Sequence, residues 1–225
     1  MDPQQRLLLE HSYAAAHAAG LRRHDLLDSD VGVYVGITST EFAQTERPAS
    51  VYSIGGVGHC FAVGRVSYVL GLRGPCIATD TACSSSLVAG HIARRGLQSA
   101  ECRHCVLAGV QAMLVPLVPV LYASGGLTSN RGRSHTFDFR ADGFGRGEAC
   151  GVMALGMGVR QTGSRVEGAA VRQDGKSASL TAPHGPSQQA LLRAARAEAN
   201  ESMLGCIEAH GTGTNLGDPI EVGAL

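Results

Sequence analysis

The chain alternates between strand patterns and helix patterns from one end to the other. Residues 31–37 place Val31, Val33, Val35 and Ile37 on one side of a strand. By the same reasoning we predict further strands at 76–80, 106–110, 150–155, 166–171 and 205–209, with 150–155 and 166–171 forming a pair. We predict helices between Pro3 and Gly20, at 57–70, 84–95 and 187–200, and from Asp218 onward. Repeated alternation of this kind predicts an α/β fold, with helices on the faces of a sheet.

Two helix starts and one apolar stretch carry more specific expectations. Asp2 is followed by Pro3, a pairing that predicts an N-cap and a first helical residue. Asp218 and Glu221 have the spacing of a capping box. Residues 106–123 are long and apolar, but their prolines would break a membrane-spanning helix, so we expect a buried strand followed by an apolar loop. Residues 124–147, rich in Gly, Arg, Asp and Ser, predict a long ordered loop.

Composition excludes several classes of protein. The 225 residues hold 19 basic and 19 acidic side chains, so the chain lacks the basic excess of a nucleic-acid binder. Lys176 is the only lysine, which also disfavours a polybasic membrane-binding patch. Seven cysteines in a chain of this size favour reduced thiols in the cytoplasm over a disulfide scaffold.

The cysteines divide into three groups by their surroundings. Cys60, Cys76, Cys150 and Cys206 lie in apolar segments and are expected in the core. Residues 102–105 have CxxC spacing, but no second ligand pair follows at zinc-ribbon spacing, so we expect no metal site. The remaining cysteine lies in a different context.

Cys83 follows an apolar strand and precedes three serines that open a helix, in the sequence DTACSSS (80–86). At such a turn the unpaired N–H groups and the dipole of the helix favour the thiolate, which is the reactive form of cysteine. The same N–H groups can stabilise an oxyanion. The alternative is a buried structural cysteine, which is the commoner fate of a free thiol.

His210 leaves a predicted strand and enters a loop rich in Gly and Thr, in EAHGTGTNLGDP (208–219). A histidine at the carboxyl end of a strand can reach the ligand crevice of an α/β sheet, and Thr212 and Thr214 offer hydroxyl donors. The alternative is a histidine that only bonds its own loop. Together the two motifs favour chemistry by a cysteine and a histidine.

With these residues the sequence resembles the β-ketoacyl synthases, especially the ketosynthase domains of modular type I polyketide synthases. Five blocks carry the resemblance in order and spacing: 1–10, 80–87, 135–148, 173–188 and 208–222. The resemblance implies a thiolase-like layered α-β-α-β-α fold and a homodimer. Residues 1–225 would form a partial domain: mostly the N-terminal half of the fold, running to the start of the C-terminal half, without a preceding N-terminal segment.

The resemblance also implies a reaction. Cys83 matches the nucleophile that accepts the growing acyl chain, His210 matches the first of two active-site histidines, and Thr212 and Thr214 match the loop that binds the phosphopantetheine arm. The implied reaction is a decarboxylative Claisen condensation between the Cys83 thioester and a malonyl-type extender thioester, in polyketide or fatty-acid biosynthesis. The implied partners are acyl carrier protein and neighbouring synthase domains, with no bound cofactor. We therefore expect Cys83 and His210 to converge across one pocket.

The family's second histidine and functional lysine belong to a later block that these 225 residues do not contain. Two alternatives to the condensing enzyme therefore stay open. One is a thiolase-like acyltransferase that uses coenzyme A, which the EAHGTGT block disfavours. The other is a ketosynthase fragment that cannot condense. Because the missing segments of the family fold should pack on the sheet, apolar side chains such as Ile220, Val222 and Leu225 are expected to be exposed.

Overall fold

A computed structural model describes residues 1–46, 48–158, 164–200 and 204–225. The chain forms two compact units. The first unit comprises Met1–Val115 and Gly147–Gly163, and the second comprises Pro116–Arg146 and Ser164–Leu225.

The first unit is built on a four-stranded sheet. Its strands are β1 (Gly32–Ile37), β2 (Cys76–Thr79), β3 (His104–Gln111) and β4 (Ala149–Gly156), in the order β2-β1-β3-β4. β1 runs parallel to β2 and β3, whereas β4 is antiparallel to β3. The four strand predictions within this sheet are confirmed, but the predicted pairing of 150–155 with 166–171 is wrong, because β4 pairs with β3.

Helices cover both faces of this sheet. The first unit contains α1 (Pro3–Ala18), α2 (Arg23–Leu26), α3 (His59–Leu70) and α4 (Ser85–Gln98), with 3-10 turns at Glu41–Gln44 and Ala82–Ser84. α1 and α3 pack on one face and α4 packs on the other. The first unit therefore has three layers, helix, sheet and helix, as the alternating sequence predicts.

The alternation of side chains in β1 explains why both faces are covered. Val33, Val35 and Ile37 are almost completely buried beneath α1 and α3. Tyr34 points to the opposite face and packs with Ala89 of α4. Burying a side chain the size of valine or isoleucine stabilises a fold by about 1.5–3 kcal/mol, so both faces of this strand hold helices against the sheet.

Local signals set two of the helix ends, and the predicted N-cap at Asp2 is confirmed. The Asp2 carboxylate accepts a hydrogen bond of 2.8 Å from the backbone N–H of Gln4, with Pro3 as the first helical residue. α3 ends at Gly71, whose φ of 73° lies in the left-handed region that glycine adopts readily.

The second unit contains α5 (Leu117–Ser124), α6 (Gly185–Glu198) and α7 (Gly217–Ala224). α5 corrects one prediction, because residues 117–123 form a helix and not an apolar loop. Pro116 precedes α5 and Pro119 lies in its first turn, where a backbone N–H has no partner within the helix. Prolines that would break the middle of a helix are therefore accommodated at its start.

The predicted strands at 166–171 and 205–209 are wrong, because both segments have irregular backbone in the structure. Alternating apolar residues form a strand only beside a partner strand, and neither segment has one among the described residues. The backbone N–H of Ala169 instead donates to the Glu198 carboxylate of α6 at 2.7 Å.

The cysteine expectations also need correction. Cys60, Cys76 and Cys206 are exposed and Cys150 is half-buried. Cys60 lies on the outer side of α3, and Cys76 is the first residue of β2, so an apolar neighbourhood in the sequence did not place them in the core.

Among the described residues, no helix combines the length and the apolar composition that crossing a membrane requires.

Candidate active site

Cys83 lies in the turn between β2 and α4, as predicted. β2 ends at Thr79, the 3-10 turn spans Ala82–Ser84, and α4 begins at Ser85. We call residues 80–85 the nucleophile turn. The thiol-bearing residue is exposed, and it precedes the N-terminus of a 14-residue helix. Such a position favours negative charge on sulfur and offers N–H groups to an oxyanion.

Side chains of the nucleophile turn fasten its own backbone. The Asp80 carboxylate accepts from the backbone N–H of Ala82 at 3.1 Å. The Ser84 hydroxyl donates to the carbonyl of Thr81 at 2.9 Å. Ala82 itself has a φ of 55°, which is uncommon for a residue with a Cβ. The turn therefore has a defined and strained conformation directly before Cys83.

Two glycines of the sheet let the start of α4 approach closely. Gly36 of β1 and Gly109 of β3 lie opposite each other in the strand register. A Cβ on Gly36 would overlap the backbone nitrogen of Ser86, and a Cβ on Gly109 would lie 2.9 Å from the Ser86 Cβ. Because no real side chain tolerates such contacts, the two glycines form the seat on which the nucleophile turn and α4 rest.

His210 lies in the second unit, in a loop that precedes α7. We call residues 210–216 the histidine loop. The two carboxylate oxygens of Glu221, from α7, accept from the backbone N–H groups of His210 at 2.6 Å and Gly211 at 2.8 Å. Gly211 has a φ of 54°. The conformation of the backbone at His210 is therefore held by a carboxylate eleven residues later in the chain.

Asp218 holds the other end of the histidine loop. This residue is only 5% exposed, and its carboxylate accepts three backbone hydrogen bonds: from Gly213 at 3.0 Å, Thr214 at 3.3 Å and Phe137 at 2.7 Å. The capping box predicted for Asp218 and Glu221 is wrong, because α7 has Leu216 at its N-cap position and both acids reach back to the loop. Sequence reasoning missed this role, although two acids placed just after a loop rich in N–H groups were the available signal.

The predicted loop 124–147 supports the histidine loop from a second side. The Thr136 hydroxyl donates to the Gly211 carbonyl at 2.5 Å, and the Gly143 N–H donates to the Gly213 carbonyl at 3.0 Å. A Cβ on Gly213 would lie 2.8 Å from the backbone nitrogen of His135. Two of the sequence blocks, 135–148 and 208–222, are thus in contact within the second unit.

Thr212 and Thr214 are half-buried, and their hydroxyl oxygens lie 3.1 Å apart. The Thr214 oxygen also accepts from the backbone N–H of Gly217 at 3.1 Å, at the start of α7. The two threonines therefore form a hydrogen-bonded pair. Their binding of a phosphopantetheine arm stays a prediction, and so does the convergence of Cys83 with His210.

A cleft of about 470 Å³ opens beside the end of the histidine loop. Its lining combines apolar and polar residues of the second unit: Phe137, Asp138, Phe139, Ala141, Thr214, Asn215, Asp218, Pro219 and Val222. Phe139 is 96% exposed. On its rim, the guanidinium of Arg140 bonds the Asp138 carboxylate and holds the pKa of that acid below its usual range.

Cys102 and Cys105 are buried, unlike Cys83. Burial raises the pKa of Cys105 to about 12, and it also raises the pKa of Cys102, whose sulfur lies 3.9 Å from the Tyr34 hydroxyl. A buried thiol with a raised pKa is inert, so this pair belongs to the core. In the part of the chain that the structure describes, His, Cys, Asp and Glu side chains form no group able to hold a metal ion.

Family models decide the classification. The N-terminal domain of β-ketoacyl synthases matches residues 1–157, and the C-terminal domain matches residues 164–225. The chain belongs to the β-ketoacyl synthase family. The resemblance drawn from five sequence blocks is therefore confirmed over nearly the whole chain.

Two of the curated relatives belong to a polyketide synthase of Mycobacterium tuberculosis (strain CDC 1551 / Oshkosh). The chain is 41% identical over 237 residues to one polypeptide of the phenolphthiocerol/phthiocerol polyketide synthase. It is 42% identical over 237 residues to another polypeptide of the same synthase. These alignments cover 100% of this chain but only 13% and 15% of the two relatives, so the chain spans a small part of their length.

Solved ketosynthases share the fold. The ketosynthase from module 6 of the bacillaene synthase of Bacillus subtilis 168 matches with a TM-score of 0.85 and 34% identity, over 100% of this chain and 40% of its own. The oxazolomycin ketosynthase domain of Streptomyces albus JA3453 matches with a TM-score of 0.89 and 33% identity, over 99% of this chain and 40% of its own. The expected thiolase-like α/β fold is confirmed.

Proposed function

We propose that this protein is a ketosynthase that joins an acyl chain to a malonyl-type extender by decarboxylative Claisen condensation in polyketide synthesis. The observation that carries the proposal is the exposed Cys83 at the strand-to-helix turn of a β-ketoacyl synthase family member. His210, Thr212 and Thr214 supply further groups that the family's chemistry uses.

In the first stage, the Cys83 thiolate attacks the carbonyl carbon of an acyl thioester. The carbon–sulfur bond to the carrier breaks, the carrier leaves as a thiolate that takes a proton from the solvent, and the acyl group stays on Cys83. N–H groups at the start of α4 are suited to stabilise the oxyanion of the tetrahedral intermediate.

In the second stage, the extender thioester loses carbon dioxide and leaves an enolate. His210 donates a hydrogen bond to the developing enolate oxygen, and the enolate carbon attacks the Cys83 thioester. The carbon–sulfur bond to Cys83 then breaks, which releases the β-ketoacyl product and restores the thiolate. The acids that fix the backbone of the histidine loop hold His210 in place for this step.

The partners follow from the family's chemistry. Acyl and extender groups arrive on the phosphopantetheine arm of acyl carrier protein. Polar atoms of this arm contact Thr212 and Thr214. The protein works as a homodimer in the cytoplasm, joined to further synthase domains. Its curated relatives, which are several times longer than this chain, support the presence of such domains.

The two stages can be tested separately. For the first stage, the rate at which Cys83 is acylated is compared between acyl groups presented on carrier protein and on coenzyme A. Faster acylation from carrier protein supports the condensing enzyme, whereas faster acylation from coenzyme A favours the thiolase-like alternative. Release of carbon dioxide from a malonyl thioester by the acylated protein reports the second stage. His210→Ala should slow that release by about 10²–10³-fold, the usual effect of removing one well-placed donor, while His11→Ala on α1 should leave it unchanged.

The 225 residues contain His210 but not the family's second histidine block. We therefore expect Cys83 to be acylated by this chain as it stands, with little β-ketoacyl product. Product formation at the rate of a complete ketosynthase would contradict this expectation.

A further inference from the structure

The peptide bond that leads into Cys83 requires an external support. Ala82 adopts a φ of 55°. Left-handed backbone is unfavourable for any residue with a Cβ, and it persists only where the surroundings determine it. The carbonyl of Ala82 belongs to the peptide that joins it to Cys83, so whatever fixes this carbonyl also fixes the direction in which Cys83 leaves the turn.

One side chain holds both sides of the strained residue. The Ser85 hydroxyl donates to the Ala82 carbonyl at 2.6 Å and accepts from the backbone N–H of Thr81 at 2.9 Å. Ser85 is only 4% exposed, so water does not replace these partners readily. A single hydroxyl thus bridges the Asp80–Thr81 peptide and the Ala82–Cys83 peptide, on either side of the strained residue.

Ser85 is itself fixed to the sheet. Its backbone carbonyl accepts from the Thr79 hydroxyl of β2 at 3.1 Å. Its carbonyl carbon lies 2.5 Å from the place that a Cβ on Gly36 would take, which shows how closely this part of α4 approaches β1. The backbone of Ser85 is therefore packed against β1 and hydrogen-bonded to β2, which gives its hydroxyl a fixed position.

The neighbouring serine provides a contrast. The Ser84 hydroxyl donates to the carbonyl and the hydroxyl of Thr81, both at 2.9 Å, and so bonds the residue before Ala82. Two adjacent serines of the same motif therefore differ in what they hold. Ser84 fastens the beginning of the nucleophile turn, and Ser85 fastens the strained peptide that carries the cysteine.

We propose that Ser85 is a positioning residue for Cys83: its hydroxyl holds the left-handed Ala82–Cys83 peptide so that the thiol stays over the N-terminus of α4. Ser85 touches no substrate and acts only through the backbone. This inference deepens the proposed function, on which it rests for the role of Cys83.

Alkylation of Cys83 tests the inference without any substrate. Iodoacetamide labelling of each cysteine is followed by peptide mass spectrometry from pH 6 to 10, with exposed Cys60 as the reference within the same protein. In Ser85→Ala, Cys83 should react about two- to tenfold more slowly at pH 7, and its pH–rate profile should move to higher pH, because the thiolate loses the favourable helix N-terminus. The profile of Cys60 should not change.

Two further variants make the result decisive. Ser84→Ala should keep the wild-type profile of Cys83, and Ser85→Thr, which retains the hydroxyl, should also keep it. An unchanged Cys83 profile in Ser85→Ala, or an equal change in Ser84→Ala, would overturn the inference. Rapid labelling of buried Cys105 would show that Ser85→Ala unfolds, and in that case Ser85→Thr provides the test. A wild-type pH–rate profile of Cys83 in Ser85→Thr supports the role of the hydroxyl, and a profile moved to higher pH refutes it.

Acyl loading from a carrier-bound thioester, measured on the same variants, separates this inference from the proposed function. If Ser85→Ala slows alkylation while the wild-type protein never accepts an acyl group, the positioning role stands and the ketosynthase assignment fails. If the wild-type protein loads and Ser85→Ala matches it in both loading and alkylation, the assignment stands and the positioning role fails.

Discussion

Removing the Asp218 carboxylate should open the histidine loop. The carboxylate is almost fully buried and accepts from the N–H groups of Phe137, Gly213 and Thr214 at 2.7, 3.0 and 3.3 Å. Hydrogen bonds to a charged acceptor are worth about 1.5–3 kcal/mol each, but three that share one carboxylate do not add fully. Because Asp218→Ala also leaves three N–H groups without an acceptor, we expect a loss of about 3–5 kcal/mol in the local free energy of opening.

Amide hydrogen exchange measures this loss where it occurs. At about 1.4 kcal/mol per tenfold change, protection of the amides of Phe137, Gly213 and Thr214 should fall a hundredfold or more in Asp218→Ala. Asp218→Asn retains one acceptor oxygen and should show a smaller loss. Asn215→Ala, an exposed change in the same loop, should stay within about 0.5 kcal/mol of the wild-type protein. Wild-type protection in Asp218→Ala would show that this carboxylate does not hold the loop.

Three further predictions concern other parts of the fold. Gly36→Ala should lower the free energy of unfolding of the first unit, measured in urea, by about 1–3 kcal/mol, because its Cβ would overlap the backbone of Ser86. Gly151→Ala in β4 has open space at its Cβ and should cost little. Equal effects of the two substitutions would contradict the close packing of α4 on Gly36. Glu221→Ala should raise amide exchange at the start of the histidine loop about tenfold or more, with Glu221→Gln intermediate, and unchanged exchange would argue against the carboxylate's role. Burial raises the pKa of Cys105 to about 12 from 9.0, so the thiol ionises at lower pH in the unfolded chain than in the folded one. The free energy of unfolding should therefore fall between pH 9 and 12 by up to about 1.4 kcal/mol per pH unit. Cys105→Ala should make this fall shallower, and an unaltered slope would contradict the contribution of Cys105.

The sheet of the first unit could be predicted because side-chain alternation records burial directly. Residues 31–37 show a period of two, and the structure buries Val33, Val35 and Ile37 on one face. The position of Cys83 was predictable for a similar reason, since an apolar strand followed by small hydroxylated residues specifies a strand-to-helix turn. In both cases neighbouring residues in the sequence carry the whole signal.

The remaining features depend on contacts between distant segments. Asp218 and Glu221 have capping-box spacing, but their carboxylates accept from N–H groups of the histidine loop, because that loop packs against α7 in the folded chain. Gly36 matters only because α4 packs so closely on β1 that the backbone of Ser86 lies against it. Residues 166–171 have a strand pattern without a partner strand among the described residues. Local patterns could not provide these outcomes.

The proposed reaction depends above all on the acyl-enzyme that Cys83 forms. Incubation with a short-chain acyl thioester of carrier protein, followed by proteolysis and mass spectrometry, locates the acyl group directly. We predict one acyl group on the peptide that contains Cys83, none in Cys83→Ala, and normal labelling in Cys206→Ala, which removes another exposed thiol. An acyl group on any other cysteine, or undiminished labelling in Cys83→Ala, would contradict the assignment of Cys83 as the nucleophile.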